Sequence, residues 1–400
     1  MDTTAQRPEL IERIVGWCIW GFLTVGMALL AVRPGALVFP GGGWLAAALI
    51  HLITLGGMVS SYYLLTLRLL PRLYGRTPAG RWVMPLVLLL HIAGVIIMVA
   101  GLVGGHKYSV YWGGHYLVPT GIVIVFIQWW VTAWKRSEST ERHLAAHLPG
   151  IGLVVAMCIG ALLVMDAYSG AYGIYTPLTI LIHFLSGGFL FFLPLMLVSE
   201  AVAEVEPGKK TDSPFSPTAQ TLLPMAIAGG GVLAMTLAVT HETYQLGMPI
   251  GLLVLGGSGL WLGMPSGSKA GGLSFVSTRR SLWAAVGMLL LYIGIRALRG
   301  IEVEEALSLA RFGVVLFLFG VGVPEALNLL LRNNLERRGE TPDSPEPILI
   351  YLVGMFGTGL ILAAMLAQVV FLAQMGGLIW LATLAWGGRV MVRGGTKLTP

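Results

Sequence analysis

Long apolar runs recur along the whole chain, and no other feature narrows its fold as much. Each is about 20 residues long, the length of helix that crosses the hydrocarbon core of a bilayer. No water is present there to pair backbone N–H and C=O groups, so only helices or closed barrels can span it. A window of about 19 residues places the runs at 14–33, 44–70, 82–104, 115–134, 149–166, 175–199, 220–240, 246–263, 281–299, 308–331, 347–368 and 370–388. The eighth is short and rich in glycine, and only a tight turn separates the last two. The expectation is an all-α fold, a polytopic membrane bundle of about twelve transmembrane helices. Of the residues, 11% are charged, against about 25% in soluble domains.

The placement of those charges sets the expected orientation, because Lys and Arg are retained on the cytoplasmic side. One set of loops carries 20 of the 25 basic residues, from Arg7 and Arg13 through Arg142 and Arg338 to Lys397. The opposite side holds Arg33, Lys107, Arg296, Arg299 and Arg311. The alternation never reverses, which predicts an even number of spans in the inner (plasma) membrane, with both termini cytoplasmic. It also accounts for the net charge of +6 through topology, so no nucleic-acid partner is expected. The polar stretch 204–219 reads as a cytoplasmic linker between a first six-helix half (1–203) and a second (220–400). Residues 1–13 carry both charge signs and no small-residue cleavage site follows the first run, so that run is expected to remain as a helix. Cys18 and Cys158 both sit inside apolar runs and suggest neither a disulfide framework nor a thiolate metal site.

Ionisable side chains inside spans are costly and mark candidate sites. His143 and His147 fall in a cytoplasmic loop, and His91 lies in the cytoplasmic half of the third run. His51, His106, His115, His183 and His241 fall toward the outer side. His51 follows the interfacial Trp44 at a depth of about 10 Å, and His183 follows Tyr175 at about 12 Å, at 1.5 Å per helical residue. The two imidazoles therefore share a level, as the axial ligands of a haem standing between helices must. Each precedes a glycine pair, Gly56-Gly57 and Gly187-Gly188. Small residues there serve either a flat macrocycle or close helix approach. Taken singly, a buried histidine can equally hydrogen-bond a neighbouring helix. The expected cofactor-binding residues are His51, His183, His91, His115 and Arg311, and the expected metal ligands are His51, His183 and His241.

Other polar groups admit two readings each. The string His241-Glu242-Thr243-Tyr244 can form a metal or proton-handling site, or a polar interfacial loop. Arg296, Arg299 and Arg311 can pair with haem propionates or with Glu302, Glu304 and Glu305. Asp166 and Glu200 lie near span ends. Glu325 follows Pro324 within a span, where it can carry protons or end the helix. No P-loop, nucleophile elbow, zinc-protease motif or strand-associated dinucleotide turn occurs.

Two stretches resemble known families. Ile50 to Gly75, with His51, Leu55-Gly56 and Leu70-Pro71, resembles the second-helix signature of the haem–copper oxidase subunit I superfamily. The likeness is closer to its small divergent members and to NnrS-like haem membrane proteins. Ile182 to Pro194, with His183, Gly187, Gly188 and Pro194, is similar to the second histidine helix of such members. The resemblance spans about the first 200 residues and implies haem b. The tenth run has no histidine and no adjacent histidine pair exists, so a complete oxygen-reducing binuclear centre is not expected. Only His241 with Glu242 and Tyr244 resembles an oxidase copper helix, as ligands for copper or another metal ion. Phe312 to Leu331, with Gly313, Gly320 and Pro324, resembles a late helix of NrfD-type quinone-binding subunits, which carry no haem.

The expected function is that of a haem-binding redox membrane protein. It would serve electron transfer or the handling of a small gas such as nitric oxide or oxygen. The alternatives are a quinone-reactive, NrfD-like subunit of a respiratory complex, or a secondary transporter with matching broken spans in its two halves. The expected partners are the lipid bilayer, a quinone or cytochrome redox partner, and a membrane complex. Whether the chain is an enzyme is left open.

Overall fold

The computed structural model describes residues 7–38, 43–74, 81–134, 151–160, 182–188, 229–235, 244–263, 275–300, 302–337 and 345–392. Almost all of them are helical, and no strand occurs among them. Seven helices among the described residues are long and apolar enough to cross a membrane. They are Leu10–Val32, Gly43–Leu67, Met84–Gly104, Lys107–Thr132, Arg311–Leu331, Glu346–Ala367 and Val370–Val392. Each falls on one of the expected runs. The runs at 149–166, 246–263 and 281–299 hold shorter apolar helices, Ile151–Gly160, Leu246–Trp261 and Leu282–Leu298. The runs at 175–199 and 220–240 are described only at 182–188 and 229–235. The described part of the chain is thus almost entirely helical, with several helices that suit a membrane. Large apolar side chains such as Leu89, Ile96, Phe356 and Phe371 are exposed along them, which a bilayer accommodates and water does not.

Turns between neighbouring helices are short. Met84–Gly104 gives way to Lys107 through Gly105, whose φ of +70 is a conformation glycine adopts without a Cβ clash. The helix after it therefore begins at Lys107, eight residues before the apolar run at 115–134. The last pair turns through Gln368, at φ 54, between Ala367 and Val370.

The chain divides into two compact units that do not follow sequence order. The first comprises Met1–Leu67, Leu88–Val118 and Leu318–Pro400, the second Arg68–Val87 and Pro119–Phe317. The linker 204–219 lies outside the described residues.

In the first unit, the helix Arg7–Val32 packs on Val370–Val392 and on the stretch Leu52–Val59. Trp20 Nε1 donates to the Leu384 carbonyl at 2.9 Å, and Trp386 Nε1 to Glu346 Oε1 at 2.8 Å. Three π-helical turns interrupt spans in this unit, Leu52–Val59, Trp112–Leu117 and Leu318–Gly322. The first and last of them pack against each other. A π-turn carries one extra residue and releases main-chain carbonyls from the ordinary helical ladder, and it is frequent at functional sites. In an apolar interior such carbonyls need new donors. Thr358 Oγ1 donates to the Phe319 carbonyl at 2.8 Å, and Trp380 Nε1 donates to Thr358 Oγ1 at 3.2 Å.

In the second unit, Tyr244–Gly263 and Phe275–Leu298 form the tightest pair of helices. Gly256, Gly259 and Gly287 bring the two backbones together: a Cβ at Gly256 would lie 2.6 Å from the Leu291 nitrogen and 2.8 Å from the Gly287 carbonyl. Trp283 is fully buried here and meets the Phe317 ring edge-on at 5.1 Å.

Candidate functional site

His51 ends the helix Gly43–His51 and is the residue from which the π-turn Leu52–Val59 departs. Its Nδ1 lies 2.7 Å from the Ala47 carbonyl, one turn back on the same helix. A carbonyl only accepts, so Nδ1 carries the proton and donates, and the neutral ring bears its lone pair on Nε2. That is the tautomer of a metal-ligating imidazole oriented by the main chain.

His183, in the second unit, has the same arrangement with a different anchor. Its Nδ1 donates to the Ala156 carbonyl of the neighbouring helix Ile151–Gly160 at 3.0 Å. Gly160 makes that approach feasible, since a Cβ there would lie 2.9 Å from His183 Cε1. The fixed proton again leaves the lone pair on Nε2.

The two glycine pairs differ in what they do. A Cβ at Gly57 would lie 2.6 Å from Leu23 Cδ2, and Gly56 is equally close to Phe22. That pair serves close approach of the first helix. Gly188 has only ordinary contact with Phe317, at 3.5 Å, and nothing described lies within 4 Å of a Cβ on Gly187. Among the described residues, the second pair is the less crowded of the two.

His91 is fully buried in the first unit and has both ring nitrogens engaged. Nε2 donates to the Leu55 carbonyl, inside the π-turn, at 2.9 Å. The neutral ring then accepts at Nδ1, and the Tyr63 hydroxyl donates to it at 3.1 Å. The Tyr63 ring meets the imidazole edge-on at 4.9 Å. In this arrangement His91 has no lone pair left for an iron. Its ring acts here as a hydrogen-bonding clamp between the π-turn and Tyr63.

The remaining candidates are dispersed. His115 belongs to a third π-turn, Trp112–Leu117, in the first unit, and stacks on Tyr111 at 4.9 Å. Arg311 is half-buried at the start of its span, in the second unit. Arg296 lies 3.7 Å from Glu305, the loop pairing that the sequence offered as the alternative to propionate binding. Glu325 is buried in the first unit, directly after Pro324 and the π-turn Leu318–Gly322. His143, His147, Asp166, Glu200, His241 and Glu242 lie outside the described residues. Among the described residues, no three His, Cys, Asp or Glu side chains converge as a metal site.

Tyr63, Thr358 and Trp380 had no place among the candidates from sequence. The available signal was the string Ser60-Ser61-Tyr62-Tyr63, polar and aromatic within an apolar span. All four of its residues are buried. No family model matches the chain, and no curated protein or solved structure matches it.

Proposed function

We propose that this chain is a haem-binding redox protein of the plasma membrane. It would span the bilayer about twelve times, as two six-helix halves, 1–203 and 220–400, with both termini in the cytoplasm. His51 and His183 are its candidate ligands for haem b, and Arg311 and His115 further candidate contacts. The observation that carries this reading is the shared tautomer. Both histidines donate Nδ1–H to a main-chain carbonyl, which orients each ring in the tautomer that ligates metals through Nε2. The group would supply one-electron chemistry, used for electron transfer with a quinone or cytochrome partner in a membrane complex, or for binding nitric oxide or oxygen. The protein's own part is to hold the two rings, exclude water and set the local dielectric.

Purified protein from haem-replete cells is expected to show a Soret band and a pyridine haemochrome of b type. A colourless protein from such cells would overturn the reading. The topology is checked separately: reporter fusions after Arg142 and after Arg338 are both expected to report the cytoplasm. A periplasmic signal at either would break the twelve-span arrangement at that point.

Two observations favour the alternatives. Buried Glu325, beside Pro324 and a π-turn, suits a quinone-reactive subunit. The packed π-interruptions of Gly43–Leu67 and Arg311–Leu331 suit a transporter built on broken helices. Either reading takes precedence if the protein proves colourless.

A further inference from the structure

The π-turn Leu52–Val59 stands between His51 and the rest of its span, and this has a geometric consequence. An α-helix turns about 100° per residue. If the extra residue of the π-turn were absorbed into regular α-helix, His51 would swing by about that angle relative to Tyr63. The direction in which His51 points is therefore set by whatever keeps the π-turn in place.

We propose that His91, itself oriented by Tyr63, is the positioning residue that holds this register and so aims His51. Three observations converge on it. His91 Nε2 donates to the Leu55 carbonyl within the π-turn at 2.9 Å. The Tyr63 hydroxyl, on the C-terminal side of the same turn, donates to His91 Nδ1 at 3.1 Å. His91 comes from a different helix, Met84–Gly104, so it ties the interior of the π-turn and the helix that follows it to one external point. The Tyr63 hydrogen bond also fixes the tautomer in which Nε2 is the donor. All of these groups lie within the first unit. Without the donor, the Leu55 carbonyl would lose this side-chain hydrogen bond in an apolar interior, and return to the regular α-helical ladder would compensate the loss.

The inference rests on the proposed haem reading only in naming iron as the ligand of His51. The register itself can be measured without iron. A Cβ on Gly26 would lie 3.7 Å from Leu52 Cβ, within the spacing of about 3.5–4.5 Å that a disulfide requires. The test uses the full-length chain in membranes, with Cys18 and Cys158 replaced by Ala and with Gly26→Cys and Leu52→Cys introduced. Copper phenanthroline is the oxidant. The His91 parent is expected to cross-link. His91→Leu is expected to lower the yield by about fivefold or more, because rotation of residue 52 carries its Cβ out of disulfide reach. His91→Gln, which can still donate to the Leu55 carbonyl, is expected to restore most of the yield.

Equal cross-linking in His91→Leu and the parent overturns the proposal, as does an uncrosslinked parent or a Gln variant no better than Leu. If His91→Leu does not accumulate, Tyr63→Phe carries the test, with a reduced yield expected and an unchanged one overturning it. In pigmented protein, His91→Leu is further expected to shift the Soret band or spin state. A cross-link that responds to His91 in a protein without pigment would remove the haem reading and leave the positioning role standing.

Discussion

Alanine in place of His51 is expected to abolish most of the Soret absorbance of the purified protein. Its imidazole donates Nδ1–H to the Ala47 carbonyl, which makes Nε2 the nitrogen of the proposed iron bond, and the substitution removes that atom. Outer-shell partners of metal ligands are worth about 10–100-fold in affinity, so loss of the ligand itself should lower haem affinity by at least about tenfold. His183→Ala should act alike, or leave a five-coordinate, high-spin haem on His51. His115→Ala, at a residue stacked on Tyr111, should change the spectrum far less. The measurement is the ratio of Soret to protein absorbance, taken on the monodisperse fraction so that misfolding is not counted as haem loss. Parent-like spectra in both the His51 and His183 variants would remove these residues from the site.

The second large effect is structural and lies in the glycine-rich hairpin of the second unit. Gly256→Ala and Gly287→Ala each place a methyl group against backbone. At Gly256 the nearest atoms are the Leu291 nitrogen at 2.6 Å and the Gly287 carbonyl at 2.8 Å. At Gly287 they include the Gly256 carbonyl at 2.7 Å and the Leu260 nitrogen. Backbone cannot rotate out of the way as a side chain can, so the helices must separate. Overpacking of this kind costs about 1–3 kcal/mol, sometimes more. That corresponds to a fall in midpoint of roughly 2–4 °C per kcal/mol in a domain of about 200 residues. Gly257→Ala is the control. Nothing described lies within 4 Å of its Cβ, and alanine is favoured over glycine in a helix by about 1 kcal/mol. Thermal unfolding in detergent should therefore rank Gly257→Ala at or above the parent and the other two well below it. The same midpoint for Gly256→Ala and Gly257→Ala would show that this interface is looser than its geometry implies.

Hydropathy alone was enough to find the seven long helices, because a bilayer leaves an apolar segment of that length one way to pair its backbone. The tight turns also had readable signals: Gly104-Gly105 after one apolar run, and almost no polar residues between the last two. The shared depth expected of His51 and His183 rests on counting residues along helices, which needs only a rise per residue.

Tertiary packing decided the rest. No local rule marks Leu52–Val59 or Leu318–Gly322 as π-turns, since a π-turn exists only where other helices reward the extra residue. Here the reward comes from far along the chain: His91 for the Leu55 carbonyl, and Thr358, itself bonded by Trp380, for the Phe319 carbonyl. The same distance explains His91 itself. A histidine in a span reads as a ligand until its two partners, one of them 36 residues away, are seen to occupy both nitrogens. It explains the glycine pairs too. Gly56-Gly57 and Gly187-Gly188 look alike in sequence, but what faces each pair is chosen by the fold: Phe22 and Leu23 crowd the first, while Gly187 faces no described neighbour. Sequence determines which segments leave water, because transfer into lipid is a property of each segment alone. Which polar groups inside those segments pair with one another, and which are left for chemistry, depends on contacts between segments and is settled only when the helices pack.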